Sequence, residues 1–249
     1  MIFIHGFPFN KSMWDPQVQA LMDNYRVITY DIRGHGNSDS GNEDFSIELF
    51  VKDLIGLINA LEIDKTFLCG LSMGGYIALN AIENYPHYFN ALILSDTQCI
   101  ADTPEVKEKR MKTIEKIKEN GVEKYADESI KNLFATESFT TKVKETITVK
   151  EMIVNTSEKS LCNTLLALSL RNETCSNLNQ IKVPILIMVG KEDKITPPDA
   201  SWLMHEKTHN SLLIPIEQAG HLANLENPII FNDSLISFVQ QINANQKCI

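Results

Sequence analysis

The chain has 249 residues, of which 43% are hydrophobic and 22% charged, with a formal net charge of −9. That length and apolar content suffice for one large core with an insertion, or for two domains. The acidic balance argues against nucleic acid or an anionic membrane surface as a partner, since both would repel it.

Taken in order, Met1-Ile2-Phe3-Ile4 reads as a strand entering His5-Gly6-Phe7-Pro8, followed by a helix over Pro16–Asp23 and a strand over Tyr25–Tyr30. A helix over Ile47–Leu61 and a strand over Thr66–Cys69 come next. Then Gly70-Leu71-Ser72-Met73-Gly74-Gly75 opens a mostly apolar helix that runs to Tyr85 and is ended by Pro86. A strand over Ala91–Ser95 completes the first run, and this alternation of strand and helix is the pattern of a parallel sheet covered on both faces. From about Thr97 to Lys182 the alternation stops. Helices are predicted over Glu105–Glu119, Val122–Phe134, Thr140–Asn155 and Ser157–Leu170, with Gly121 as a stop. The sheet resumes with a strand over Val183–Gly190, a short helix from Pro198 that ends before Asn210, and a strand over Leu212–Ile216. The expected organisation is therefore a core of residues 1–96 and 183–249, with residues 97–182 as a helical cap over the strand ends.

A serine between small residues at a strand-to-helix bend is presented with its hydroxyl exposed. By average residue usage such a pentapeptide arises by chance in roughly one chain in twelve of this length, so its surroundings must carry the argument. The hydroxyl is a poor nucleophile without a base, and the base needs an orienting acid. His221, beside Gly220 just past the Leu212–Ile216 strand, is the expected base. Asp193, past the Val183–Gly190 strand, is the expected acid, with Asp96 at the end of Ala91–Ser95 as its rival. The backbone amides of Met73 and Phe7 are the expected oxyanion donors, Gly6 permitting the turn that presents the second.

Other candidates have plainer readings. His5 is expected to shape the oxyanion loop, His35 to bond within its own Gly-rich loop, and Cys69 to pack as a small hydrophobe. His205-Glu206-Lys207-Thr208-His209 matches the H-E-x-x-H zinc pattern, yet it falls at the end of a short polar helix, so no metal is expected.

The segments His5–Pro8, Asp31-Ile32-Arg33-Gly34-His35-Gly36-Asn37-Ser38, Gly70–Gly75, Gly190–Pro197 and Gly220-His221 stand in one order over almost the whole chain. In them the chain resembles an α/β-hydrolase of the carboxylesterase and 3-oxoadipate enol-lactonase group. The resemblance implies a mostly parallel sheet with helices on both faces, a helical cap, no cofactor, and a small ester or lactone as substrate. C–C bond hydrolases and haloperoxidase relatives share the same residues and stay open as alternatives; a non-catalytic ligand receptor is the alternative from another class. Epoxide hydrolases and haloalkane dehalogenases are excluded, because they need a carboxylate where Ser72 stands. Members of the group carry further edge strands ahead of the first strand here. Tyr25–Tyr30 is thus expected at an exposed edge, met by a second copy in a homo-oligomer or by chain upstream of Met1.

No apolar run reaches about 18 residues and no basic-then-apolar leader precedes the first strand, so neither a membrane span nor a signal peptide is expected. The five cysteines lack CxxC or metal spacing and read as the reduced thiols of a cytoplasmic protein.

Overall fold

A strand buried on both faces needs apolar residues at successive positions, and the runs Cys69–Leu71, Ala91–Leu94 and Ile185–Val189 supply them. In the computed structural model, which describes residues 1–246, these runs form the centre of the sheet. The elements are β1 (Ile2–Ile4), α1 (Asp15–Leu21), β2 (Ile28–Tyr30), α2 (Ile47–Ala60), β3 (Thr66–Leu71), α3 (Met73–Asn84) and β4 (Phe89–Ser95). Then come α4 (Pro104–Asn120), α5 (Val122–Leu133), α6 (Ser138–Thr141), α7 (Val143–Val154) and α8 (Glu158–Leu170). The chain returns through β5 (Ile185–Gly190), α9 (Pro198–Lys207), β6 (Ser211–Ile216), α10 (Ala223–Glu226) and α11 (Pro228–Gln246). Among the described residues the six strands form one parallel sheet in the order β2-β1-β3-β4-β5-β6.

The two-residue period of the strands divides the core cleanly. Ile2, Ile4, Leu68, Leu92, Leu94, Ile185 and Ile187 face one side, where Phe50 and Leu54 of α2 and Ile77 and Ala81 of α3 cover them. Phe3, Cys69, Leu71, Ile93, Leu186 and Met188 face the other, against Trp14, Leu21 of α1, and Phe231, Leu235 and Phe238 of α11. The helices between β4 and β5 join both clusters: Ile114, Ile117, Leu161 and Leu165 pack with the first, and Leu133, Val149, Met152 and Ile153 with the second.

Three features depart from the sequence reading. The strand expected over Tyr25–Tyr30 is confined to Ile28–Tyr30, because its one neighbour in the sheet is the three-residue β1, paired Ile2 to Ile28 through Ile4 to Tyr30. As expected, it lies at the edge. The helix expected over Thr140–Asn155 is broken at Lys142, which sits at φ −126°, ψ 43° after two β-branched threonines. The sequence reading places no element after Ile216, where α10 and α11 form; Phe231, Leu235, Phe238, Val239 and Ile242 mark the buried stripe of α11.

The cysteine expectation is corrected. Cys99 and Cys175 form a disulfide with Cα atoms 4.8 Å apart, while Cys69 and Cys162 are free and buried; Cys248 lies outside the described residues. Residues 97–182 leave and re-enter the sheet side by side, which spacing alone does not reveal. Reduced thiols are therefore no longer a ground for a cytoplasmic location. No helix among the described residues is long and apolar enough to cross a membrane.

The disulfide ties the chain's exit from β4 to its return toward β5 across 76 residues of sequence, and the Thr174 amide donates to the Cys99 carbonyl beside it at 2.8 Å. A loop that long, cross-linked, stabilises by about 2–4 kcal/mol, mostly by restricting the unfolded chain. Cys99→Ser, or reduction by dithiothreitol, should lower Tm by roughly 5–15 °C in calorimetry. An unmoved Tm would count against the clasp.

Candidate active site

β3 ends at Leu71 and α3 begins at Met73, so a single residue makes the turn: Ser72, at φ 53°, ψ −115°. Left-handed backbone of this kind is costly for a residue with a Cβ and persists only where its surroundings enforce it. Here the Ser72 amide donates to the Ser95 carbonyl at 3.0 Å, and the Ser72 carbonyl accepts from Thr97 Oγ1 at 2.8 Å and from the Gly75 amide at 2.9 Å. The bend also brings backbone against backbone. A Cβ on Gly70 would run into the Gly74 carbonyl, and one on Gly74 into the carbonyl of Ile4 on β1.

His221 and Asp193 arrive from the carboxyl ends of β6 and β5. His221 Nε2 stands 2.9 Å from Ser72 Oγ, and His221 Nδ1 stands 2.8 Å from Asp193 Oδ2. All three side chains are buried. Asp193 is held in turn by the Ile195 amide at 2.8 Å, the Thr196 amide at 3.1 Å and the Thr196 hydroxyl at 2.7 Å. Burial works against its charge, but the His221 ring and these donors keep its pKa below the ordinary carboxylate value. His221 shows the mirror image. Burial opposes the imidazolium, while the Asp193 charge and hydrogen bond, helped by Glu226, lift its pKa above the ordinary one.

Asp96, the rival acid, is fully buried and near this pair without bonding to His221. Its Oδ1 accepts from the Gly190 amide at 2.8 Å and its Oδ2 lies 2.6 Å from Ser95 Oγ. Burial first, then the neighbouring Asp193 charge, push its pKa up to about 8, so it is mostly neutral at pH 7. The hydrogen-bonded acid is Asp193.

Phe7 and Met73 border the same cavity as Ser72 and His221. Among the described residues neither backbone amide donates to another group, so both N–H groups stay free for a ligand. The Phe7 loop is set by His5, whose Nε2 accepts from the Ile32 amide at 2.9 Å and whose Nδ1 bonds the Gly6 carbonyl at 2.9 Å. Burial, then His35, drives the His5 pKa down to about 3, so it holds the loop as a neutral ring. His35 bonds within its own loop, to the Arg33 carbonyl at 3.1 Å.

The cavity has a volume of about 460 Å³. Its apolar wall includes Tyr76, Val106, Leu165 and Leu168, and its charged residues are Lys109, Arg110, Lys194 and Asp102. Arg110 Nε is 2.5 Å from Asp102 Oδ2, and Arg171 Nη1 is 2.5 Å from Asp102 Oδ1. Arg171 is further tied to the carbonyls of Leu168 and Ile100 and lies over the Tyr76 ring at 4.3 Å. Of the zinc-pattern residues, His205 bonds Ser211 Oγ at 2.8 Å, and α9 stops at Lys207, leaving His209 beyond the helix. No cluster of three or more His, Cys, Asp or Glu side chains suited to a metal occurs among the described residues.

Sequence reasoning missed Thr196 and Glu226. Thr196 is marked only by its place three residues after Asp193, where its hydroxyl and amide can turn back on the carboxylate. Glu226 is marked only as an acid in an otherwise uncharged stretch after His221.

A serine at a strand–helix elbow, with an acid and a histidine brought by later strands to the carboxyl edge of a parallel sheet, defines an α/β-hydrolase. The model of the Hydrolase_4 family, serine aminopeptidase S33, matches residues 1–227, and the chain belongs to that family. It is 27% identical to 3-oxoadipate enol-lactonase 2 of Acinetobacter baylyi over 98% of this chain and 89% of that protein. A malate-bound thermophilic esterase from Thermogutta terrifontis superposes with a TM-score of 0.93 at 31% identity, covering 97% of this chain and 89% of that one. The enol-lactonase of Burkholderia xenovorans LB400 superposes with a TM-score of 0.89 at 25% identity, covering 96% and 90%.

The electrostatics can be read directly from the His221 ring by NMR titration. Its midpoint should lie above the ordinary 6.5, since Asp193 stabilises the charged form more than burial penalises it. Asp193→Asn should move the midpoint to lower pH. A wild-type midpoint below 6.5 would contradict this account.

Proposed function

We propose that this chain is a serine hydrolase of small carboxylic esters or lactones, working through an acyl-enzyme and needing no cofactor. The observation that carries the reading is the continuous hydrogen-bonded chain Ser72–His221–Asp193 opening on a cavity large enough for a small ester. Ser72 Oγ attacks the carbonyl carbon as its proton passes to His221 Nε2. The tetrahedral oxyanion takes hydrogen bonds from the Phe7 and Met73 amides, and collapse expels the alcohol, which receives the proton from His221. Water then adds to the acyl-enzyme by the same route and releases the acid. Asp193 orients the ring and stabilises its cation. Residues 97–182 act as the cap, whose α4, α5 and α8 side chains shape the substrate pocket.

A panel of p-nitrophenyl esters of increasing acyl length, with an aminoacyl p-nitroanilide beside it, tests the reading. Turnover of short esters should fall by at least ~10³-fold in Ser72→Ala with Tm unchanged. Asp193→Asn should cost ~10³–10⁴-fold, and Asp96→Asn, which replaces a mostly neutral acid by a neutral amide, less than about tenfold. Equal rates for wild type and Ser72→Ala would defeat the mechanism, and a single burst without turnover would favour the ligand receptor.

The second reading, a lactonase selective for an anionic substrate such as 3-oxoadipate enol-lactone, is favoured by the charges of the cavity wall. Asp102 is shared by two guanidinium groups, so one positive charge there is uncompensated, and of the two arginines only Arg110 borders the cavity. The largely apolar remainder keeps the general esterase ahead of this reading. A rate on the enol-lactone several orders of magnitude above that on p-nitrophenyl acetate, lost in Arg110→Gln, would reverse the order.

A further inference from the structure

Glu226 is a carboxylate buried to 3% exposure at the end of α10, and the mechanism above does not use it. A buried charge is tolerable only where donors surround it. Oε1 accepts from the Gly220 amide at 2.7 Å, and Oε2 accepts from the Ala135 amide at 2.7 Å and the Ser138 hydroxyl at 2.6 Å. Gly220 immediately precedes His221, whereas Ala135 and Ser138 belong to the helical insertion between β4 and β5. One carboxylate thus grips the histidine loop with one oxygen and the insertion with the other.

A second link runs alongside. The last residue of α5, Leu133, has a carbonyl that helix geometry leaves without an intrahelical partner, and it accepts the His221 amide at 2.9 Å. The two backbones pass so closely that a Cβ on Gly220 would stand 2.6 Å from the Ala135 nitrogen. The position of the His221 ring is therefore set from the insertion as much as from the sheet.

We propose that Glu226 is a positioning residue for His221, joining the 133–138 segment to the histidine loop so that the Nε2–Ser72 Oγ distance depends on the seating of the insertion. Its negative charge acts in the same direction, adding to Asp193 in favouring a protonated His221. Burial raises the pKa of Glu226 itself, and the Ser138, Ala135 and Gly220 donors oppose that rise. The proposal rests on the reading of Ser72 and His221 as the reacting pair.

The test is Glu226→Gln, which keeps the shape but replaces one acceptor by a donor facing other donors. Two readouts are followed: the rate at which a fluorophosphonate labels Ser72, with Ser72→Ala as control, and the NMR titration of the His221 ring. Labelling is expected to slow at least tenfold, and the His221 midpoint to move to lower pH. Ser138→Ala, a milder change at a side chain with no bond to Ser72 or His221, should slow labelling about threefold and covers the case in which Glu226→Gln does not fold. Unchanged labelling and an unchanged midpoint, with only Tm lowered, would make Glu226 a structural residue and overturn the proposal; so would wild-type labelling in Ser138→Ala. The titration decides for or against Glu226 whether or not Ser72 proves reactive, whereas failure of the Ser72→Ala control bears on the hydrolase reading alone.

Discussion

The backbone of Ser72 sits at φ 53°, ψ −115°, and the rest of the site is organised around keeping it there. A residue with a Cβ gives up on the order of 1–3 kcal/mol in such a conformation. Three neighbours hold it: Ser95 on β4, Thr97 just beyond, and the first turn of α3. Their own places depend on β1, β3 and β4 lying in register, with Gly70 and Gly74 letting the helix start press on the strands. The parallel sheet is thus the device that stores the strain, and a serine hydroxyl aimed at His221 and the cavity is what the strain provides.

Two buried aspartates near one histidine illustrate how environment, rather than residue type, assigns a role. Asp193 has three donors and the imidazole, and stays ionised. Asp96 has a backbone amide and a serine hydroxyl, feels the charge of Asp193, and is mostly neutral at pH 7. Two like charges so close in a low-dielectric interior would repel strongly, so the better-solvated one keeps its charge and the other takes a proton.

The helical insertion is bound to the core by more than apolar packing. The Cys99–Cys175 disulfide joins its entry and exit, the Asp102 ion pairs link its first and last long helices, and Glu226 with the Leu133 carbonyl fastens its middle to the histidine loop. The cavity lies between these attachments. Its walls come from segments far apart in sequence, so its shape is a property of the insertion's seating.

Some of this was written in the sequence in local terms. The Gly70–Gly75 elbow, the helix stop at Gly121, the buried runs of β3 to β5, and Ser72, Asp193 and His221 each announce themselves within a few residues, since turn chemistry and periodicity are short-range. The choice between Asp193 and Asp96 was not local, because both end a strand and only the folded distances to His221 distinguish them. Nor were the pairing of Cys99 with Cys175, the locking of Arg171 by Asp102, or the grip of Glu226 on Ala135 and Gly220, which are 76, 69, 91 and 6 residues apart. Even the last, though close in sequence, needs the insertion to supply its other donors. Residue spacing determines which groups an element can present, and only packing the elements on the sheet determines which of those groups meet.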